Sequence, residues 1–115
     1  MTKTIEHPAT ICDALAATAA AHASEPALRT VAVAWTWGEY AERVGAAAAG
    51  LHGLGVRRGD TVALWLSNRP EFHVADSAAV ALGAAPFSIY PTFTVPQAEH
   101  LVRDAASRVL VTERA

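Results

Sequence analysis

Cysteine and lysine are scarce in this sequence of 115 residues. The single cysteine, Cys12, excludes an intrachain disulfide and a zinc site built from cysteines, so a reducing, cytoplasmic setting is expected. The only lysine is Lys3. Because no lysine follows a glycine-rich stretch, a Gly-x-x-x-x-Gly-Lys-Ser/Thr phosphate loop is excluded.

Charge of either sign is also low. The 9 basic residues (Lys and Arg) and 11 acidic residues leave a net charge of −2, which excludes a basic nucleic-acid-binding surface and an acidic tail protein. Hydrophobic residues make up 52% of the chain and charged residues only 17%. This composition favours a folded domain over a disordered chain, and the small polar share indicates that a partner covers part of its surface.

The sequence has no clear targeting or membrane segment. The apolar stretch 14–21, followed by Ala21-His22-Ala23, resembles a signal-peptide cleavage region, but Asp13 interrupts the apolar core that such a peptide needs. Apolar residues also recur there at helical spacing: Ile11, Leu15 and Ala19. No 18-residue apolar run is free of charge, glycine and proline, so no transmembrane segment is predicted.

Helical and strand periodicities alternate along the chain. Four helices are expected: 11–23, closed by Pro26, and one after each of Thr36, Asn68 and Thr94. Short strands at 27–30 and 31–35 would form a leading hairpin, and apolar strands are expected at 61–66, 85–90 and 108–112. Because helices join the apolar strands, the predicted fold class is α/β, a mostly parallel sheet with helices on both faces.

Capping motifs support all four helix starts, the first through Thr10 as N-cap with Asp13 three residues later. Thr36 with Glu39, Asn68 with Glu71 and Thr94 with Gln97 each have the spacing at which side chains satisfy free backbone N–H groups. The second helix would carry one apolar stripe: Tyr40, Val44, Ala47, Ala48, Leu51 and Leu54.

Gly53, Gly55 and Gly59 imitate a dinucleotide-binding fingerprint. Such a fingerprint follows a strand and opens a helix, whereas these glycines end a helix and precede a strand. Gly55 fits a left-handed helix stop, with Val56 as the apolar residue beyond it. A helix stop followed by a turn is therefore the preferred interpretation.

Candidate catalytic groups are few. The five histidines lack metal-ligand spacing. His73 lies three residues before Asp76 on a predicted helix, which favours a surface pair over a catalytic dyad. Cys12 is interpreted as a small core residue and Trp35, Trp37 and Trp65 as core anchors. No catalytic, cofactor-binding or metal-binding residue is therefore predicted in this chain.

Four phrases occur in order along the chain. They are Trp35-Thr36-Trp37-Gly38-Glu39-Tyr40, the stretch 50–64 with Arg57-Arg58-Gly59-Asp60, Asn68-Arg69-Pro70-Glu71-Phe72, and Leu82-Gly83-Ala84-Ala85-Pro86 with Tyr90-Pro91-Thr92. Together they resemble the opening of the AMP-dependent synthetase and ligase family, from about Thr10 to the last residue. The phrase 90–94 is most similar to the fatty-acyl-CoA ligase branch. The resemblance implies that residues 1–115 form a single N-terminal fragment of the large domain.

The resemblance also implies a chemistry. Members of the family use ATP and Mg to convert a carboxylate into an acyl-adenylate, and the acyl-CoA branch then transfers the acyl group to CoA. The Ser/Thr/Gly-rich loop ending in Pro-Lys-Gly, the adenosine-binding motifs and the C-terminal domain with its catalytic lysine have no counterpart in this sequence. The expected function is therefore an N-terminal fragment of a fatty-acid–CoA ligase that is inactive alone.

Two other interpretations stay open. The chain could be a standalone or truncated interaction module that self-associates as a dimer or pairs with a complementary chain. A small flavodoxin-like binding protein is less favoured, because no phosphate loop follows its first buried strand. The expected partners are the remainder of the parent enzyme or a second copy of the chain.

Overall fold

The computed structural model describes residues 8–114. The elements are α1 (Ile11–Ala21), β1 (Pro26–Arg29), β2 (Ala34–Thr36), α2 (Trp37–Gly53), β3 (Thr61–Trp65), α3 (Pro70–Ala81), β4 (Ala85–Ser88), α4 (Val95–Asp104) and β5 (Val109–Thr112). Strands β1 and β2 pair antiparallel, and the other three form a parallel sheet in the order β4-β3-β5. Within the described residues, no helix is long and apolar enough to cross a membrane.

Helices cover both faces of the parallel sheet, as predicted. Val62 and Leu64 of the central strand point to one face, where they pack with the apolar side chains of α2 and α3. Ala63 points to the other face, where it packs with Ala98 of α4 and with Ile89. The predicted α/β fold class is confirmed.

Of the three parallel strands in the described residues, only the central one is buried on both faces. Val62, Ala63 and Leu64 are fully inaccessible to solvent, whereas β4 and β5 are only partly buried along their lengths. The prediction of three fully buried strands is therefore wrong for two of them, because the strand order places β4 and β5 at the edges. The fourth strand also ends at Ser88, two residues before the predicted end at Tyr90.

Two of the three predicted capping boxes are present. The hydroxyls of Thr36 and Thr94 accept the N–H groups of Glu39 and Gln97, whose side chains accept the backbone N–H groups of the two threonines in return. These reciprocal bonds fix the starts of α2 and α4.

The third predicted cap, Asn68, is wrong. The third helix begins one residue later, with Arg69 as its N-cap and no side-chain cap bond. Pro70 explains the shift, because a residue that precedes proline is pushed out of the helical region. Arg69 is accordingly extended, with φ −145° and ψ 160°, and cannot be the first helical residue that a cap at Asn68 requires.

The end of α2 confirms the interpretation of the glycines as a stop and a turn. Gly55 has φ 98°, and its N–H donates to the carbonyl of His52, while the N–H of Val56 donates to the carbonyl of Leu51. Val56 is buried, but Leu54 is 68% exposed. The assignment of Leu54 to the buried stripe is wrong, because the helix has already ended at Gly53.

The N-terminal segment differs from expectation in its boundaries. Helix α1 ends at Ala21, two residues early, and Pro26 begins β1 instead of closing the helix. The leading hairpin is confirmed, but Val31 lies fully exposed in its turn. The hydroxyl of Thr30 accepts the N–H groups of Ala32 and Val33, which tightens this turn and delays β2 to Ala34.

Candidate functional site

The carboxyl-terminal ends of the three parallel strands lie together at one end of the sheet, where open α/β sheets usually bind ligands. The segments 66–69, 89–94 and 113–114 follow β3, β4 and β5 there. A pocket of about 280 Å³ lies between the first two segments. It is lined by Leu66, Ser67, Asn68, Phe72, His73, Ser88, Ile89, Tyr90 and Pro91.

Arg69 links the loop after β3 to the end of β5. Its Nη1 lies 2.6 Å from Oε2 of Glu113, and its Nε lies 3.0 Å from Oε2 of Glu71. The backbone N–H of Ser67 also donates to the Glu113 carboxylate. The guanidinium is therefore shared between two carboxylates, which makes Arg69 a tie between two loops and not a free anion-binding group.

The same contacts shift the carboxyl pKa values. Hydrogen bonding from Ser67, through its side chain and then its backbone, lowers the pKa of Glu113, and Arg69 lowers it further. The pKa of Glu71 is lowered mainly by a hydrogen bond from its own backbone N–H and, to a smaller extent, by Arg69. Both glutamates are therefore held in the charged form at neutral pH.

A pH titration of stability tests this tie. A carboxyl whose folded-state pKa is lowered stabilises the fold above its unfolded-state pKa of about 4.3, and the stabilisation is lost as the pH falls through the folded-state value. Glu113→Gln is therefore expected to reduce stability at pH 7 and to weaken its decline in acid. Urea unfolding from pH 3 to 7 measures this effect. Glu42→Gln, at an exposed position on α2, is the control, and identical profiles for the wild type and Glu113→Gln would contradict the tie.

A second depression lies between α1, α2 and α3. It is an open, largely apolar groove of about 520 Å³. At the α2–α3 contact, the hydroxyl of Tyr40 lies 2.6 Å from Oγ of Ser77 and donates to the carbonyl of His73 at 3.0 Å. Burial, partly offset by Ser77, raises the pKa of Tyr40, so this hydroxyl stays protonated and joins the two helices.

Cys12 lies half-buried on the wall of this groove. Its predicted place in the core is wrong, because α1 packs on the outside of α2 and α3 and contributes no buried residue. The prediction that the tryptophans anchor the core agrees with the structure. Trp35 is buried in the main core, and Trp37 and Trp65 pack against core clusters.

The predicted pair of His73 and Asp76 is not formed. The His73 ring is exposed and lies edge-on to Phe72, with 5.7 Å between ring centroids. Among residues 8–114, no group of three or more His, Cys, Asp or Glu side chains is arranged to hold a metal ion. Sequence reasoning missed the Arg69–Glu113 tie, because its partners are 44 residues apart and no local pattern connects them.

Comparison with known proteins identifies the family. Residues 15–115 match the family model of the AMP-binding enzyme. The chain is 42% identical over 113 residues to the uncharacterized protein Rv1549 of Mycobacterium tuberculosis, covering 96% of this chain and 65% of that protein. It is 37% identical over 78 residues to the long-chain-fatty-acid–CoA ligase FadD15 of Mycobacterium bovis, covering 68% of this chain and 13% of the ligase. Further relatives are named as ligases or synthetases for other carboxylic acids.

A solved structure shows the same fold. The N-terminal domain of FACL13 from Mycobacterium tuberculosis superposes with a TM-score of 0.82 and 26% identity, covering 85% of this chain and 25% of that one. The chain thus spans less than two thirds of the proteins that it matches. Its sequence and fold correspond to the N-terminal region of adenylate-forming enzymes, and the chain belongs to the AMP-binding enzyme family.

Proposed function

We propose that this chain supplies the N-terminal part of a fatty-acid–CoA ligase. The observation that carries the proposal is the match to the N-terminal domain of FACL13 at a TM-score of 0.82, and the likeness to FadD15 supports the fatty-acid branch. In the complete ligase, the carboxylate of the acid attacks the α-phosphate of ATP, pyrophosphate leaves, and the CoA thiol then displaces AMP from the acyl-adenylate. The single cysteine and the use of ATP and CoA support a cytoplasmic setting.

Two observations support the inference that ATP and Mg bind mainly to the remainder of the ligase. Arg69, which follows the pocket-lining residue Asn68 in the chain, is engaged by two carboxylates. No acidic cluster within residues 8–114 is arranged to hold a divalent cation. The proposed role of this chain is therefore structural: its sheet and caps position loops against the remainder of a ligase, and the phosphate chemistry requires that remainder.

The first experiment measures ATP–pyrophosphate exchange by the pure chain with a panel of saturated fatty acids. We expect no exchange above the rate without acid. An acid-dependent rate that follows the chain through successive purification steps would contradict the proposal.

The second experiment tests the role within a ligase. The segment of FadD15 that matches this chain is removed, and the remainder is produced alone or together with this chain. We expect acid-dependent exchange only from the combination. A 4-coumarate–CoA ligase shortened in the same way is the matched control, and we expect weaker rescue there. Equal or stronger rescue of the coumarate enzyme would contradict the fatty-acid assignment, and rescue of neither would contradict the proposed role.

A further inference from the structure

The two edges of the parallel sheet differ in their ability to accept another strand. The N–H groups of Ala85 and Ile89 donate to carbonyls of the central strand and the turn before it. Since backbone groups alternate in direction along a strand, those of Pro86 and Ser88 point outward. Pro86 has no N–H group, so the β4 edge lacks a donor at the middle of its outer side.

The β5 edge carries no such block. In the parallel register, Ala63 lies opposite Leu110, so Val109 and Val111 direct their backbone groups toward β3. The C=O group of Arg108 and the N–H and C=O groups of Leu110 and Thr112 therefore point outward. None of these residues is proline, and this row of donors and acceptors can pair with another strand.

The side chain of Leu110 is also incompletely covered. It lies in the same cross-strand row as Ala63 and Phe87, on the face that α4 covers. Yet Leu110 is 42% exposed, whereas Ala63 is fully buried. Helix α4 thus covers the central strand and leaves the β5 side of this face open to a neighbour.

We propose that a second copy of this chain pairs antiparallel with β5 across a twofold axis at Leu110. In this register, side chains that lie on one face of the sheet in each copy lie on the same face of the combined sheet. Leu110 lies opposite Leu110 of the other copy. Val109 then faces Val111 of the other copy on the opposite face, and Arg108 faces Thr112. The outward backbone groups of Arg108, Leu110 and Thr112 form the narrow hydrogen-bonded pairs of an antiparallel ladder.

Charge favours this register over the one shifted by one residue toward the C-terminus. Moving the axis by one residue, to Val111, places Arg108 opposite Arg114 of the other copy, and like charges directly opposed destabilise a sheet. The axis at Leu110 opposes no like charges and buries an exposed leucine against itself. The β5 edge is therefore self-complementary, as a twofold interface requires.

The mass of the 115-residue chain in solution tests the pairing. Sedimentation or light scattering across micromolar concentrations should show a rise from the 12.0 kDa monomer toward twice that mass. Leu110→Lys should weaken dimerisation at least tenfold, because it places two charges opposite each other. Leu54→Lys, the same change at an exposed leucine outside the sheet, is the control and should leave the dissociation constant unchanged.

Cross-linking tests the register. In a Cys12→Ala background, Leu110→Cys should form an intermolecular disulfide under mild oxidation. The Cα atoms of directly opposed residues in a hydrogen-bonded pair lie about 5.5 Å apart, which is within the range of Cα–Cα distances that disulfides span. Leu54→Cys should not cross-link at the same concentration.

A monomer at every concentration would overturn the pairing. A dimer that tolerates Leu110→Lys and does not cross-link at position 110 would overturn the assignment to β5. Circular dichroism of each variant identifies loss of fold. These measurements need no ligase activity, so failure of the proposed enzymatic role would leave the inference intact.

Discussion

Leu64→Ala is expected to lower the free energy of unfolding by about 2–5 kcal/mol, because truncation of a buried leucine removes apolar contacts and leaves a cavity. Leu64 is fully buried in the middle of the central strand and packs into the cluster formed with α2 and α3. Small domains are stabilised by only about 5–15 kcal/mol in total. The variant should therefore lose a large part of its stability.

Urea unfolding monitored by tryptophan fluorescence measures the effect at one fixed protein concentration, since any self-association also shifts stability. Leu54→Ala makes the same chemical change at a side chain that is 68% exposed. The control should change stability by no more than about 0.5 kcal/mol. Equal losses for the two variants would contradict the position of Leu64 at the centre of the core.

Gly83→Ala is expected to cost about 2–3 kcal/mol, from backbone strain and from a tight contact. Gly83 lies two residues after the end of α3 and has φ 74°, a conformation that residues other than glycine rarely adopt. A Cβ atom there would lie 3.0 Å from Cγ and 3.3 Å from Cβ of Arg58. The carbonyl of Gly83 also accepts the N–H of Gly59, and this hydrogen bond joins the two turns that precede β3 and β4.

Substitutions at two other glycines separate the cost of backbone strain from the cost of the contact with Arg58. Gly55 has φ 98°, but a Cβ atom added there would have no neighbouring atom within 4 Å, so Gly55→Ala should show only the strain, about 1–2 kcal/mol. Gly45 lies exposed within α2 with equally open surroundings, and Gly45→Ala should raise stability by up to about 1 kcal/mol. Equal costs at Gly83 and Gly55 would show that the contact with Arg58 does not matter.

Local chemistry made much of the fold predictable. Capping by Thr36 and Thr94 depends on side chains and N–H groups three residues apart, and the stop at Gly55 depends on one residue's conformational freedom. The Asn68 cap failed for a reason that is also local, the restriction that Pro70 imposes on Arg69.

The candidate site was less predictable. The sequence correctly predicted a parallel sheet, but it did not predict that Arg69 meets Glu113. That contact depends on β5 lying beside β3 and parallel to it, so that the loops after both strands are at the same end of the sheet. It follows from strand order, which local residue patterns do not encode.

The sequence by itself determined the succession of helices and strands, the caps and turns between them, and the resemblance to the AMP-binding family, because each depends on residues close together in the chain. Only the tertiary structure decided which apolar strand is buried on both faces. The runs around Leu64, Phe87 and Leu110 are all apolar, yet the order β4-β3-β5 encloses the first and leaves the other two at edges. Burial depends on neighbours that are distant in the sequence, so equally apolar strands reach different environments.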